Sequence, residues 1–180
     1  GIAKDDLKDY NGAIADYTKA IELDPDDADA YIHRGISKKN LKDYNGAIAD
    51  YTKAIEIDPN FSYAYAYRGS AKSYSEDHYG AIADYTKAIE IDPDNFSFAI
   101  SRGSQKLFLD DYYGAIADYT KAIELEPNEF NAYCLRGNAK FKLGDKVGAC
   151  NDWNKVVSNK NFQFGLLPPD EFLMCPSLNA

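Results

Sequence analysis

Apolar residues recur along most of this chain at spacings of three, four and seven. Between Ala47 and Ile57 they stand at Ala47, Ile48, Tyr51, Ala54, Ile55 and Ile57, a stripe on one side of a helix that is wide enough to touch two neighbours. Asp43 precedes this element as its predicted N-cap. Pro59 ends it, because proline lacks an N–H and its ring clashes with the preceding turn. Upstream, Ala28 to about Leu41 is rich in good helix formers and reads as a partner helix with Gly35 inside it. Its predicted cap is Asp27. Asn60 or Ser62, Asn95 or Ser97, and Asn128 can cap the corresponding later helices.

The pattern repeats. The string AIADYTKAIE starts at Ala13, Ala47, Ala81 and Ala115, at one constant interval, and an eroded fifth copy, ACNDWNKVVS, starts at Ala149 after the same interval. Arg-Gly recurs upstream at 34–35, 68–69, 102–103 and 136–137, and prolines follow at 25, 59, 93 and 127. One helical pair cannot bury such a stripe alone, whereas stacked pairs bury a continuous core. Gly35, Ala47, Ala54 and their copies allow close helix approach, and Tyr31 and Tyr51 fill the spaces left. The predicted array covers residues 1–160, with repeats at about 1–27 (its first helix incomplete), 28–61, 62–95, 96–129 and 130–160. Residues 161–180 form a separate apolar segment.

In these residues the chain resembles the tetratricopeptide repeat family. That family has a helix-turn-helix of about 34 residues. An aromatic, a Gly, two Ala and a terminal Pro stand at fixed offsets in it, here Tyr31, Gly35, Ala47, Ala54 and Pro59. The resemblance implies an all-α, right-handed α-solenoid of about five repeats. Arg-Gly stands where the family usually has Leu-Gly, a bacterial-looking variant. The fourth copy has Ala99 where Tyr is expected, and the fifth lacks the terminal Pro. The third has Ser75, Glu76 and His78 at its inter-helix turn, which leaves the geometry of that turn open.

Columns that repeat between copies serve stacking, which every copy must do. Arg34, Arg68, Arg102 and Arg136 recur with Asp50, Asp84, Asp118 and Asp152, near the seam between helices. A basic ladder gripping an acidic ligand is one reading. Repeated Arg–Asp pairs that fix register, within a repeat or between neighbours, are the favoured one, since a partly buried Arg pairs best with a bidentate carboxylate. Lys4, Lys38, Lys72, Lys106 and Lys140 form another fixed column, whose stems can cover apolar surface with the ammonium in water.

Columns that vary lie on one face of the first helices. The resemblance implies that this face lines a concave, peptide-holding groove. The candidate groove residues are Ile32, Ile36, Lys39, Asn40, Tyr63, Tyr67, Ser70, Tyr74, Ile100, Ser104, Phe108, Asn138, Phe141 and Lys142. Tyr63, Tyr67, Tyr74, Phe108 and Phe141 are the predicted anchors, and Asn40, Ser70, Ser104 and Asn138 the predicted hydrogen-bonding groups for a partner backbone. Of the anchors, Tyr67 and Phe108 are the most strongly expected to face the groove. The family's clamp for a C-terminal carboxylate needs Lys, Asn and Arg where this chain has Ile32, Ala66 and Ile100. An apolar peptide or protein segment is therefore the expected partner.

Composition narrows the function. The 180 residues carry a net charge of −9, which argues against nucleic acid or an anionic membrane surface. No run of apolar residues is long enough to predict membrane insertion. Apolar content of 45% and aromatic content of 14% exceed what a disordered acidic chain carries. Three cysteines without CxxC (Cys134, Cys150 and Cys175) predict free thiols, not a bridge or a zinc site. His33 and His78 lack matching ligands, and no phosphate loop or nucleophile motif is present, so neither catalysis, metal nor cofactor is expected. The tail carries Phe162, Phe164, Leu166, Leu167, Phe172, Leu173 and Met174 with three prolines. It can cover the end of repeat five, with a short helix near residues 169–174, or occupy a groove. The expectation is a non-enzymatic protein-interaction scaffold, cytoplasmic by default. The alternatives are a self-assembly module joined through array ends or tail, and the repeat region of a larger protein.

Overall fold

The computed structural model describes residues 1–158 and Cys175. The fold is all-α, with ten helices among the described residues, arranged as helix-turn-helix repeats of the α-solenoid class. The chain divides into two compact units, residues 1–93 and residues 94–180. Expectations placed on residues 161–180 fall outside the described residues, apart from Cys175. No helix among the described residues is long and apolar enough to cross a membrane.

The first unit holds α1 (Ile2–Asp6), α2 (Tyr10–Leu23), α3 (Ala28–Asn40), α4 (Tyr44–Ile57), α5 (Ser62–Tyr74) and α6 (His78–Ile91). Each odd helix packs on the even helix that follows it, and α3 and α5 also pack on the even helix before them. Ala47, Tyr51, Ala54, Ala64 and Ala71 are buried in one cluster with Tyr31 and Ile32. Small residues bring the backbones close enough for tyrosine rings to fill what remains. At Gly35 an added Cβ would lie 2.6 Å from Tyr51 Cε1, so only glycine fits at this crossing.

The second unit holds α7 (Phe96–Phe108), α8 (Tyr112–Leu125), α9 (Phe130–Lys142) and α10 (Lys146–Val157), packed in the same sequential way. Its terminal cluster contains Cys134, Ala149, Trp153, Val156 and Cys175. Val156 and Trp153 take the volume that Ala and Tyr occupy in earlier copies.

The turn inside every repeat has one construction. The residue two after each first helix has positive φ: Lys8 (61°), Lys42 (64°), Glu76 (67°), Asp110 (61°) and Gly144 (86°). The next residue, always Asp, returns its N–H to a carbonyl five residues back, as Asp43 does to Lys38 O at 2.9 Å. This closes the first helix with a Schellman motif. The same Asp caps the second helix, and Asp43 Oδ1 accepts from Gly46 N at 2.9 Å. One residue thus ends one helix and starts the next. The turn at Ser75–His78, left open by its sequence, keeps this construction, with Glu76 in the same left-handed conformation as its counterparts.

Two predicted caps are displaced. The N-cap of α5 is Phe61, without a side-chain bond, and that of α9 is Glu129, whose side chain accepts from Asn131 N. The residue before each proline explains why. Asp58 Oδ1 accepts from Asn60 N at 3.0 Å and Glu126 Oε1 from Asn128 N at 3.1 Å, so Asn60 and Asn128 lie inside a turn ahead of the cap position. Asp27 and Asn95 cap α3 and α7.

Candidate functional site

The recurring seam sets the positions of the first helices. In the first unit Arg34 donates from Nε to Asp50 Oδ2 at 3.0 Å and from Nη2 to Asp50 Oδ1 at 2.7 Å. Its remaining Nη1 donates to Thr18 Oγ1 of the preceding repeat at 3.2 Å. Arg68 does the same to Asp84 and Thr52. In the second unit Arg136 grips Asp152 and reaches Thr120, and Arg102 grips Asp118. The guanidinium carbon of Arg34 lies 5.4 Å from the Tyr31 ring centroid, so its flat face is covered as well. The hydrogen bond to Asp50 raises the proton affinity of Arg34, against the opposing effect of burial. Arg34, Arg68 and Arg136 therefore each join a carboxylate of their own repeat to a hydroxyl of the one before.

The lysine column does not hold its ammonium groups in water. Lys38 Nζ lies 2.7 Å from Asp50 Oδ2, and Lys72, Lys106 and Lys140 pair with Asp84, Asp118 and Asp152 at 2.8 to 2.9 Å. A buried carboxylate that receives a bidentate Arg still has lone pairs to fill, and the lysine one turn later fills them. Lys4 pairs likewise with Asp16, at 2.8 Å.

The predicted groove residues of the first unit divide into buried and open groups. Ile32 is only 4% exposed and belongs to the core, so it is unavailable to a partner. Ile36 is half-buried and packs on the same cluster. Tyr67 is half-buried too, its ring stacked against Tyr51 at 5.8 Å and near Tyr63 at 6.1 Å. The open residues are Asn40, Tyr63 (45% exposed) and Tyr74 (63%). Tyr74 rests one side of its ring on Tyr44, at 5.4 Å. Lys39 and Ser70 are half-buried, with Lys39 Nζ 3.5 Å from Ser70 Oγ. His33 stacks on Tyr17, at 5.4 Å between ring centroids.

In the second unit Phe108 is 68% exposed and Lys142 is also open. Ile100 packs on the core beside Ala115 and Tyr119. Phe141 is half-buried and lies against Trp153, at 5.7 Å between ring centroids. Two predicted partner-binding groups are occupied internally. Ser104 Oγ donates to Ile100 O and accepts from the Tyr119 hydroxyl at 3.3 Å, and Asn138 Oδ1 accepts from Trp153 Nε1 at 3.1 Å. Both pairs have the same sequence spacing, which puts them at the crossing of two helices, where buried polar groups need partners.

The cysteines correct a further expectation. Cys150 and Cys175 form a disulfide, with Cα atoms 5.6 Å apart, and Cys134 is a buried thiol outside that bond. An odd count without CxxC carries no signal for this pairing, because the partners lie 25 residues apart on α10 and in the tail. Burial raises the Cys134 thiol pKa to about 11.

Comparison with known proteins follows the same architecture. Tetratricopeptide repeat models match residues 28–61 and 62–95, and a TPR repeat model matches residues 6–41 and 109–144. No curated protein matches the chain. Among solved structures, a crystal structure of MamA has a TM-score of 0.82 at 24% identity, over 87% of this chain and 91% of that one. YrrB, solved as a TPR protein with an unusual peptide-binding site, has a TM-score of 0.71 at 25% identity, over 80% and 74%. The first TPR of Spaghetti (RPAP3), bound to the HSP90 peptide SRMEEVD, has a TM-score of 0.63 at 26% identity, over 65% and 93%.

Proposed function

The chain belongs to the tetratricopeptide repeat family, and from that premise we propose that it is a non-enzymatic scaffold binding a partner segment on its first-helix faces. The observation that carries this reading is the exposure of the large rings of Tyr63 and Tyr74 on α5 and of Phe108 on α7, while Ile32 and Phe98 on first helices are buried. Large rings give much contact area for little side-chain entropy. A partner would bury apolar side chains on these rings, and Asn40 and Ser70 would hydrogen-bond its backbone. Ser104 and Asn138 drop out of that role because Tyr119 and Trp153 already use them. YrrB and the RPAP3 repeat are peptide-binding members of the same fold, which supports a peptide-like partner here. The terminal-carboxylate clamp is disfavoured, because Ile32, Ala66 and Ile100 stand where its charged and amide groups would be.

The test is selection of a phage-displayed random dodecapeptide library on the whole protein, followed by affinity measurement on synthetic hits. Tyr63→Ala/Tyr74→Ala or Phe108→Ala should weaken binding about tenfold or more with the helical signal unchanged, as expected of a hot-spot aromatic. Unchanged affinity in every variant would refute the groove assignment. A wild-type mass that rises with concentration, and falls in these variants, would favour self-assembly instead.

A further inference from the structure

The recurring first-helix lysines of this protein are each matched to a carboxylate. Lys38, the immediate neighbour of Lys39, is paired with Asp50, and its copies at 72, 106 and 140 are paired in the same way. Lys39 is different. Among the described residues no carboxylate lies within ion-pair reach of its ammonium, and its polar contact is Ser70 Oγ at 3.5 Å. The position is not a scaffold column, since the equivalent residues in later copies are Ser73, Leu107 and Phe141. Burial pushes the Lys39 ammonium below the usual lysine range, because water has been removed and no counter-charge replaces it.

The surroundings of that ammonium are specific. Ser70 lies three residues after Tyr67 and four before Tyr74, so the three share one face of α5. Tyr63 continues the stripe one turn earlier, its ring tilted towards Tyr67. The ammonium of α3 therefore meets α5 at a hydroxyl with aromatic rings on both sides along the helix. An anion placed there would recover the pairing that Lys39 lacks, and the residues flanking it would meet tyrosine faces.

We propose that the α3–α5 face is a recognition site for an internal acidic side chain, Asp or Glu, of a partner segment, held by Lys39 and Ser70 and flanked by apolar residues that pack on Tyr63, Tyr67 and Tyr74. This rests on the scaffold reading above and adds the chemical class of its ligand. One ammonium balances one carboxylate, whereas a phosphate dianion or a polyanion would meet a chain of net charge −9 with a single matching cation. Rings on both sides of Ser70 favour an acidic residue within a segment over a chain end, which has neighbours on one side alone.

The experiment uses the same dodecapeptide library, selected in parallel on wild type and on Lys39→Met. Wild type should enrich sequences with one Asp or Glu beside an aromatic or aliphatic residue. Lys39→Met should keep the apolar enrichment and lose the acidic one. A labelled wild-type hit should bind Lys39→Met about tenfold more weakly, as for a charge-assisted contact, and Lys39→Arg should restore most of the loss. Replacing the acid of the peptide with its amide should cost wild type the same factor and cost Lys39→Met nothing. Capping the peptide's C-terminus as an amide should change neither affinity. Wild-type hits without an acid, or equal binding by Lys39→Met, would overturn the proposal. The scaffold reading would survive those results if the hits still responded to Tyr63→Ala/Tyr74→Ala. Absence of any enriched sequence on either protein would overturn both.

Discussion

The indole Nε1 of Trp153 donates to Asn138 Oδ1 at 3.1 Å, and one repeat earlier the Tyr119 hydroxyl donates to Ser104 Oγ at 3.3 Å. At the equivalent crossing in the first unit, Tyr51 lies opposite Ile36, and its buried hydroxyl has no hydrogen-bond partner among the described residues. Burial above all, with smaller effects of Tyr67 and Asp50, pushes the Tyr51 pKa well above the usual tyrosine value. Leaving a buried hydroxyl unpaired costs about 1–3 kcal/mol. Tyr51→Phe should therefore stabilise the protein by about 1 kcal/mol, and Ile36→Ser should recover part of the same cost by supplying a partner. Tyr119→Phe should be neutral or destabilising. Urea melts of the three variants would decide it, and a destabilised Tyr51→Phe would show that the hydroxyl is satisfied in solution.

The carboxylate of Asp84 serves two cations at once, with Arg68 Nη2 at 2.7 Å and Lys72 Nζ at 2.9 Å. Asp84→Ala leaves both cations uncompensated at a buried seam, and should cost about 3–5 kcal/mol. Lys72→Met removes one cation and leaves the bidentate pair, so it should cost about 1 kcal/mol or less. Equal losses in chemical denaturation would mean that the Arg–Asp pair does not carry the seam.

The Cys150–Cys175 bond closes a loop of 25 residues, for which chain entropy predicts about 3 kcal/mol of stabilisation. Dithiothreitol should lower the melting temperature of the wild type and leave Cys150→Ser/Cys175→Ser unchanged. Trp153 is the only tryptophan and shares a cluster with Cys175, so its fluorescence should report the same event. A wild type indifferent to reductant would argue against the pairing.

Alkaline pH should weaken the fold through Cys134 and Tyr119. Burial raises the Cys134 thiol from 9.0 to about 11, and Tyr119 from 10.0 to about 12. Both groups are neutral when protonated, so the unfolded chain loses these protons first as pH rises. Their contribution is intact below about pH 9 and falls away between pH 9 and 12. Cys134→Ala should show a shallower decline between pH 9 and 11, measured by urea melts at fixed ionic strength. A decline of the same slope in wild type and variant would exclude the thiol as a cause.

The constant repeat interval and the apolar stripe make the helices, their order and the Asp caps of the second helices legible in the sequence. Periodicity says less about partners. Arg34 and Asp50 fall at one seam by spacing, yet a strict repeat permits pairing inside a copy or between copies equally. The structure uses both, with Asp50 inside and Thr18 outside. Groove membership is legible as a face but not as exposure. Ile32 shares the face of Tyr63 and Phe108 yet is buried in the core, and Phe141 is half-covered by Trp153, whose size no other copy shares. The disulfide lies beyond periodicity altogether, because one of its cysteines is outside the repeats.

The reach of Arg68 back to Thr52 has a consequence for how the chain can change in length. Thr18 stands one full repeat before Thr52 in an identical helical string, with the same carbonyl bond one turn back. Excising residues 28–61 would present Arg68 with Thr18 in place of Thr52, and duplicating them would supply one more Arg and one more Thr together. Every polar group at the seam keeps a counterpart in either event. The array is thus quantised: whole repeats can enter or leave it without orphaning a buried charge, whereas an insertion of any other size within a helix breaks the junction.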